Sequence, residues 1–164
     1  MTFILDAQRR DPADVVSSFR RYRDYLNGVR AQFPPSAFEL AVSEWYFDPS
    51  DHRCPHDSWL EEIVISEPAH GKRSEQRSLA ARIRLLGAYH DGVIELQYPR
   101  VFSYTFSIQD SAGGHRDWRY DQFRLSEAGH VLHEIEWCGR DSTGTWCIEA
   151  SDVLFEWRPR SAGA

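Results

Sequence analysis

Two kinds of side chain alternate along the segment Val131-Leu132-His133-Glu134-Ile135-Glu136-Trp137-Cys138. The odd-numbered positions carry valine, histidine, isoleucine and tryptophan, whereas the even-numbered positions carry leucine, two glutamates and a cysteine. Because successive residues of a strand point to opposite faces of a sheet, this pattern predicts a strand with one buried and one solvated face. Turn sequences flank the segment at 127–129 and 141–144, which favours antiparallel pairing with its neighbours along the chain.

Alternation with a period of two continues through most of the remaining chain. It occupies residues 38–47, 59–65, 79–85, 93–98, 101–108, 118–126, 145–150 and 153–157. The turn His90-Asp91-Gly92 separates two of these runs, because Asp-Gly readily supplies the positive φ values that tight hairpins need. Parallel pairing is disfavoured, since it needs long crossover connections. We therefore expect a strongly curved, mainly antiparallel meander of about eight strands over residues 38–157, shaped like a half-barrel.

One helix precedes the strands. Asp11 is a suitable N-cap and Pro12 suits a first helical turn. Apolar residues then recur at steps of three and four, which predicts one buried stripe: Val15, Val16, Phe19, Tyr22, Leu26 and Val29. We expect an α+β protein with a single domain over 1–164, in which a helix over 12–32 packs on the sheet and a flexible tail covers 158–164.

Composition excludes several classes of protein. The chain has 164 residues, of which 41% are hydrophobic and 27% charged, so it is neither disordered nor fibrous. No apolar run approaches the roughly 20 residues of a membrane span, so we expect no membrane association. The three cysteines and the absence of a basic leader at the N-terminus indicate a reducing compartment, and we expect a cytoplasmic protein.

Charge is distributed unevenly along the chain. The net charge of −6 disfavours nucleic acid as a partner, because phosphate binding needs a positive surface. Residues 36–67 hold eight acidic residues and one arginine, a net charge of −7, and residues 121–157 hold eight acidic residues and two arginines, a net charge of −6. Such segments predict a surface that attracts a basic protein partner, or a solvated surface that keeps the protein soluble.

The docking surface is expected where aromatic residues adjoin the first acidic segment. Tryptophan, tyrosine and arginine are enriched at interface anchors, and this chain holds six Trp, seven Tyr and nine Phe. The candidate partner-binding residues are Trp45, Tyr46, Phe47, Asp48, Asp51 and Asp57. Since the chain also lacks a phosphate loop, a dinucleotide fingerprint and a nucleophile elbow, we favour a non-enzymatic binding protein.

Three alternatives remain open. The first is a small-ligand protein or enzyme with an aromatic pocket between helix and sheet, lined by His90, Tyr98, Tyr104, His133 and Trp137. The second is a homodimer that forms through an exposed strand edge. The third is a zinc site at His52, Cys54 and His56, whose alternate spacing points the three side chains the same way in an extended loop. Apart from that site, no cofactor is expected.

The order of several short motifs resembles a class of small uncharacterised bacterial proteins. These motifs are His90-Asp91-Gly92, Tyr98, His115-x-Asp117-Trp118, Arg124-Leu125-Ser126 and His133-Glu134-Ile135-Glu136. In size, acidity and layout of helix and sheet, the chain is also similar to bacterial toxin-immunity proteins. The first resemblance covers residues 90–157 and implies a bacterial origin. The second is one of character, implies a role in neutralising a protein partner, and carries no functional residues over to this chain.

Overall fold

The computed structural model of the protein describes residues 2–5, 12–108, 113–139 and 143–160. Helix α1 spans Pro12–Val29 and continues as a 3₁₀ turn at Arg30–Gln32, which confirms the helix expected over 12–32. A second helix, α2, spans Pro35–Val42, and a further 3₁₀ turn covers Glu44–Phe47. None of the helices in these described ranges is long and apolar enough to cross a membrane.

Nine strands follow the helices in the described part of the chain. They are β1 Trp59–Ser66, β2 Ala69–His70, β3 Gln76–Arg77, β4 Leu79–Leu86, β5 Gly92–Phe106, β6 Asp117–Leu125, β7 Val131–Cys138, β8 Thr143–Ala150 and β9 Leu154–Pro159. Strands β2 and β3 form a separate pair, and the other seven form one sheet in which every pairing is antiparallel. The expected α+β class with a large antiparallel sheet is confirmed.

The sheet curls into a ring, because β4 pairs with both β1 and β5. Only part of it has the strand order of the expected meander. Strands β6, β7 and β8 pair in chain order, but β5 pairs with β4 on one edge and with both β8 and β9 on the other. The ring closes between β1 and β6 at one residue pair, Trp59 with Asp117. Beyond that pair, β6 and β9 each keep an edge without a strand neighbour among the described residues.

The expectation of a strand at 38–47, and hence of a sheet from residue 38, is wrong. Residues Pro35–Val42 are helical because Pro34 and Pro35 begin a helix as well as end the preceding one. Leu40 and Ala41 lie one helical turn beyond Ala37, and all three are buried, so the same apolar residues also fit a helical period. The expected tail also begins too early, since Arg158 and Pro159 belong to β9, where they pair with β5.

Helices α1 and α2 close the opening that the sheet leaves. The hydroxyl of Tyr22 accepts a hydrogen bond from the backbone N–H of Phe123 (2.7 Å) and donates one to its carbonyl (3.0 Å). The hydroxyl of Tyr25 accepts a hydrogen bond from the backbone N–H of Leu125 at 2.8 Å. Two tyrosines of α1 therefore satisfy backbone groups on the edge of β6 where a further strand would pair.

The core lies inside the ring and beneath the helices. Residues Val131, His133, Ile135 and Trp137 are at most 1% exposed, which confirms the inward face expected for this strand. The rings of Trp118 and Trp137 lie 5.3 Å apart, and those of Trp137 and Trp146 lie 5.0 Å apart. The apolar stripe expected along α1 is buried in part, because Val16 is 63% exposed.

Candidate functional site

A cleft of about 220 Å³ opens at the surface between α1 and β6. The loop that follows the 3₁₀ turn at Glu44–Phe47 forms its third wall. The lining residues are Val15, Phe19, Tyr46, Phe47, Pro49, Cys54, Pro55, His56, Trp118, Arg119, Tyr120 and Asp121. We call this site the α1 cleft. Its walls are mostly aromatic or apolar, and Asp121 is the only carboxylate among the described residues that line it.

Asp121 lies at the bottom of the α1 cleft, with its side chain 4% exposed. Its Oδ2 accepts a hydrogen bond from the hydroxyl of Tyr46 at 2.8 Å. Its Oδ1 accepts one from the indole Nε1–H of Trp118 at 3.0 Å. The imidazole Nε2 of His133 lies 2.9 Å from Oδ2 and completes the set. Donors on three elements therefore fix the carboxylate in one position, as its acceptor-only chemistry requires.

The hydrogen-bond chain continues inward from Asp121 to Tyr98. The hydroxyl of Tyr98 lies 2.7 Å from Nδ1 of His133, and both side chains are fully buried. One proton arrangement satisfies every group: Tyr98 donates to Nδ1, and Nε2–H of His133 donates to Asp121. Burial is the main cause that raises the pKa values of Tyr46 and Tyr98 well above 10.0, and the Asp121 charge adds to it, so both hydroxyls remain protonated donors at neutral pH.

Cys54 is the one thiol that lines the cleft, and it is inert. Its Sγ–H donates to the backbone carbonyl of Tyr46 at 3.1 Å. Burial raises the pKa of this thiol to about 12. Because the thiolate is the nucleophilic form, Cys54 has no reactive species near neutral pH.

The basic side chains of the α1 cleft, Arg119 and His56, lie close to Asp57. Arg119 lies 3.5 Å from the Asp57 carboxylate and stacks over the ring of Tyr120, 5.3 Å from its centroid. Nδ1 of His56 lies 3.2 Å from the same carboxylate. Within the described ranges, no lysine or arginine forms an ion pair with Asp121. The basic neighbour of Asp121 is instead the imidazole of His133, whose Nε2 lies 2.9 Å from Oδ2, whereas Asp57 has an arginine 3.5 Å from its carboxylate.

The candidate partner-binding residues divide between the cleft and its surroundings. Tyr46 and Phe47 line the α1 cleft, and Asp48 is exposed beside it, next to the lining residue Pro49. Trp45 points elsewhere, with Phe155 at a centroid distance of 4.9 Å and the Arg53 guanidinium 4.5 Å from its ring. Asp51 is engaged by Arg53, whose hydrogen bond lowers the pKa of Asp51 to about 2.

Three of the five pocket candidates meet inside the ring. Tyr98, His133 and Trp137 belong to the closed core, where Phe123 stacks on His133 at a centroid distance of 4.2 Å. His90 lies exposed in its hairpin turn with a φ of 58°, and Tyr104 is 45% exposed on β5. The pocket expected from these residues is therefore not a common cavity, although the α1 cleft does lie between a helix and the sheet.

The residues of the zinc alternative do not converge. Nδ1 of His52 lies 2.5 Å from Asp91, and its ring stacks on Tyr89. Cys54 points into the protein, and His56 packs edge-on against Tyr120. Within residues 2–5, 12–108, 113–139 and 143–160, no group of three or more His, Cys, Asp or Glu side chains is arranged to hold a metal ion.

Several acidic residues of the two acidic segments have basic partners. Glu62 pairs with Arg82 at 2.9 Å, and Glu61 pairs with Arg84 at 2.9 Å and also with Arg160. In the second segment, Arg124 pairs with Glu134 at 2.7 Å. The negative charge of the two segments is therefore neutralised in part across the sheet, and the carboxylates of Asp48 and Asp121 lie near aromatic residues at the α1 cleft.

Sequence reasoning missed Asp121 because a bulge shifts the register of β6. Trp118 faces Trp137 and Tyr120 faces Glu136, so β6 gains one residue between these pairs. The bulge turns Asp121 inward, opposite Ile135. Comparisons of the chain with protein-family models, curated proteins and solved structures found no match. The α1 cleft and its charges therefore carry the functional inference.

Proposed function

We propose that the protein is a non-enzymatic binding protein that docks a basic protein partner, as an immunity protein neutralises a toxin. A lysine or arginine side chain of the partner enters the α1 cleft and pairs with Asp121. One observation carries this proposal: a buried carboxylate, held by donors from Tyr46, Trp118 and His133, lies at the bottom of an aromatic cleft, and no lysine or arginine among the described residues pairs with it.

A cationic side chain complements both parts of this site. An entering ammonium or guanidinium group would form an ion pair with the Asp121 carboxylate that is little screened by solvent, because that carboxylate is buried. Aromatic faces such as those of Phe19, Phe47 and Tyr120 attract cations, most strongly where water is excluded. The exposed carboxylate of Asp48 beside the cleft adds to the attraction during approach.

The size of the α1 cleft favours a side chain over a free metabolite. Its volume of about 220 Å³ lies below the ~300–1,000 Å³ of typical ligand pockets. A single long side chain, anchored by the rest of its own protein, needs less enclosure than a free ligand does. The second candidate function is the binding of a small organic cation. The pocket expected for a small ligand lies between a helix and the sheet, and the α1 cleft has that position.

A peptide pair with one changed atom tests the proposal. The probes are a short basic peptide with a central arginine and the same peptide with citrulline, which keeps the shape but loses the charge. We expect the arginine peptide to bind more tightly, and Asp121→Asn to weaken its binding by roughly 10- to 100-fold, since a hydrogen bond to a charged group contributes about 1.5–3 kcal/mol. Isothermal titration calorimetry measures both differences.

The control variant is Glu127→Gln, which removes one exposed negative charge outside the cleft lining. Equal binding of the two peptides, or equal loss in Asp121→Asn and Glu127→Gln, would contradict the proposal. Methylguanidinium separates the second candidate: if it binds as tightly as the peptide and competes with it, the site takes a small cation rather than a protein side chain.

A further inference from the structure

Part of one edge of β5 has no strand neighbour among the described residues. Leu79, the first residue of β4, pairs with Val101, and β4 reaches no further along β5. The following segment, Phe102–Phe106, pairs with β8 on its other edge. Among the described residues, none pairs with the β4 side of Phe102–Phe106, so this edge keeps open backbone donors and acceptors.

The backbone groups on the open edge can be assigned from the β8 side. The backbone N–H of Ser107 donates to the carbonyl of Thr145 at 3.0 Å, so these two residues form a hydrogen-bonded pair of the antiparallel ladder. Hydrogen-bonded and non-bonded pairs alternate along such a ladder. Tyr104 and Phe106 therefore direct their N–H and C=O groups away from β8, towards the open edge.

The open edge also lacks the features that usually prevent strand pairing. Natural edges are protected by charged residues, prolines or covering elements. The segment reads Phe102-Ser103-Tyr104-Thr105-Phe106 and holds neither a charge nor a proline. All of its residues except Phe106 are exposed, with Phe102 at 37% and Tyr104 at 45%.

We propose that a second copy of this chain pairs antiparallel with Phe102–Phe106 around a two-fold axis at Tyr104. The segment is nearly symmetric about that residue, so Tyr104 meets Tyr104 of the second copy and Ser103 meets Thr105. Tyr104 and Phe106 lie on the face shared with Ile148 and Trp146, where the rings of the two copies stack side by side. On the opposite face the Thr105 hydroxyl of each copy donates to the Ser103 hydroxyl of the other, whose own proton is donated to Glu149 at 3.1 Å.

Sedimentation velocity over a concentration series measures this association. So short a pairing gives a weak dimer, and we expect a dissociation constant of roughly 10 µM to 1 mM. Tyr104→Lys places two like charges opposite each other at the axis and weakens the dimer by about tenfold or more. Val16→Lys is the matched control, because it adds the same charge at an exposed apolar residue of α1.

A cross-link tests the register and does not depend on how tightly the copies associate. Hydrogen-bonded antiparallel pairs place their Cα atoms about 5.5 Å apart, within the range that a disulfide spans. Tyr104→Cys should therefore oxidise to a covalent dimer faster than Val16→Cys at equal concentration. A protein that stays monomeric at about 1 mM, or a dimer that Tyr104→Lys and Val16→Lys affect equally, overturns the proposal.

Discussion

Glu134 on β7 accepts hydrogen bonds from Gln122 and from two nitrogens of Arg124, each at 2.7 Å. Gln122 in turn uses its Oε1 to accept hydrogen bonds from the backbone N–H groups of Phe3 and Ile4, at 3.0 and 2.9 Å. The carboxylate thus fixes the orientation of the Gln122 amide, and the amide holds the first described residues of the chain against β6. One residue on the outer face of the ring therefore anchors a segment more than a hundred positions away.

Replacing Glu134 by glutamine should destabilise the protein in a pH-dependent way. Burial alone would raise the pKa of Glu134, but the hydrogen bonds from Arg124 and Gln122 outweigh it and hold the pKa below its ordinary value. A carboxyl whose pKa is lower in the folded state stabilises fully above its unfolded pKa of about 4.3 and loses that contribution as the pH falls through the folded value. We expect Glu134→Gln to lower the free energy of unfolding by about 1–3 kcal/mol at pH 7.

Chemical denaturation at pH 7 and near pH 3 measures this difference between Glu134→Gln and the unaltered protein. The difference in the free energy of unfolding should shrink as the pH falls through the folded pKa of Glu134, because protonation removes the charge that its hydrogen bonds stabilise. Glu127→Gln, an exposed turn variant, should show little change at either pH. If the difference in the free energy of unfolding stays constant with pH, the destabilisation comes from packing rather than from the charge of Glu134.

At the scale of elements, helix α2 depends on a residue far along the chain. Its N-cap position is Pro34, which offers no side-chain acceptor. Asp152, in the break between β8 and β9, accepts hydrogen bonds from the backbone N–H groups of Ser36 (3.3 Å) and Ala37 (2.8 Å). This carboxylate caps the helix across the fold, so α2 is tied to the sheet by its first turn.

Removing that cap should loosen α2. Asp152→Ala leaves the first helical N–H groups without their acceptor, and we expect a loss of about 1 kcal/mol in the free energy of unfolding. Asp152→Asn retains an acceptor oxygen and should lose less, which makes it the matched control. Urea denaturation followed by circular dichroism measures both. If Asp152→Ala leaves the free energy of unfolding unchanged, water satisfies the first helical N–H groups as well as the carboxylate does, and the cap does not stabilise α2.

Three elements show what sequence patterns could and could not predict. The alternation of β7 specifies its buried face, and the neighbouring strand β8 repeats that alternation. The run at 38–47 fits two periods at once, and only the packing of Ala37, Leu40 and Ala41 selects the helix. The β6 bulge leaves no mark in the alternation, so Asp121, the central residue of the α1 cleft, could not be found from sequence.

At the scale of the whole molecule, the sheet joins segments that are distant along the chain. Long strand β5 pairs with β4, β8 and β9, so it belongs to both halves of the ring. The net charge of each segment could be predicted from the sequence. The ion pairs that its charged residues form across strands could not, because those pairs depend on the strand order. Tyr46 and Phe47, which we expected at a partner-binding surface, line the α1 cleft, whereas the pairing of Glu61 and Glu62 with arginines neutralises part of the expected acidic surface.

Amide exchange should reflect this organisation. Strand β7 pairs along its whole length with β6 on one edge and β8 on the other, so its amides open only when the ring opens. The β2–β3 pair is short and fully exposed. We expect β7 amides to exchange about a thousandfold or more slowly than those of residues 69–77. Hydrogen exchange with mass spectrometry measures the ratio, and similar rates would contradict a closed ring.

The packing of Trp118 and Trp137, and of Trp137 and Trp146, gives the protein an optical property. Indole rings held at 5.3 and 5.0 Å in fixed orientations couple their electronic transitions. The folded chain should therefore show an intense near-ultraviolet circular dichroism signal, which vanishes when side-chain packing loosens while the strands persist. This interior supplies its own spectroscopic probe, so loss of tertiary order can be followed without any added label.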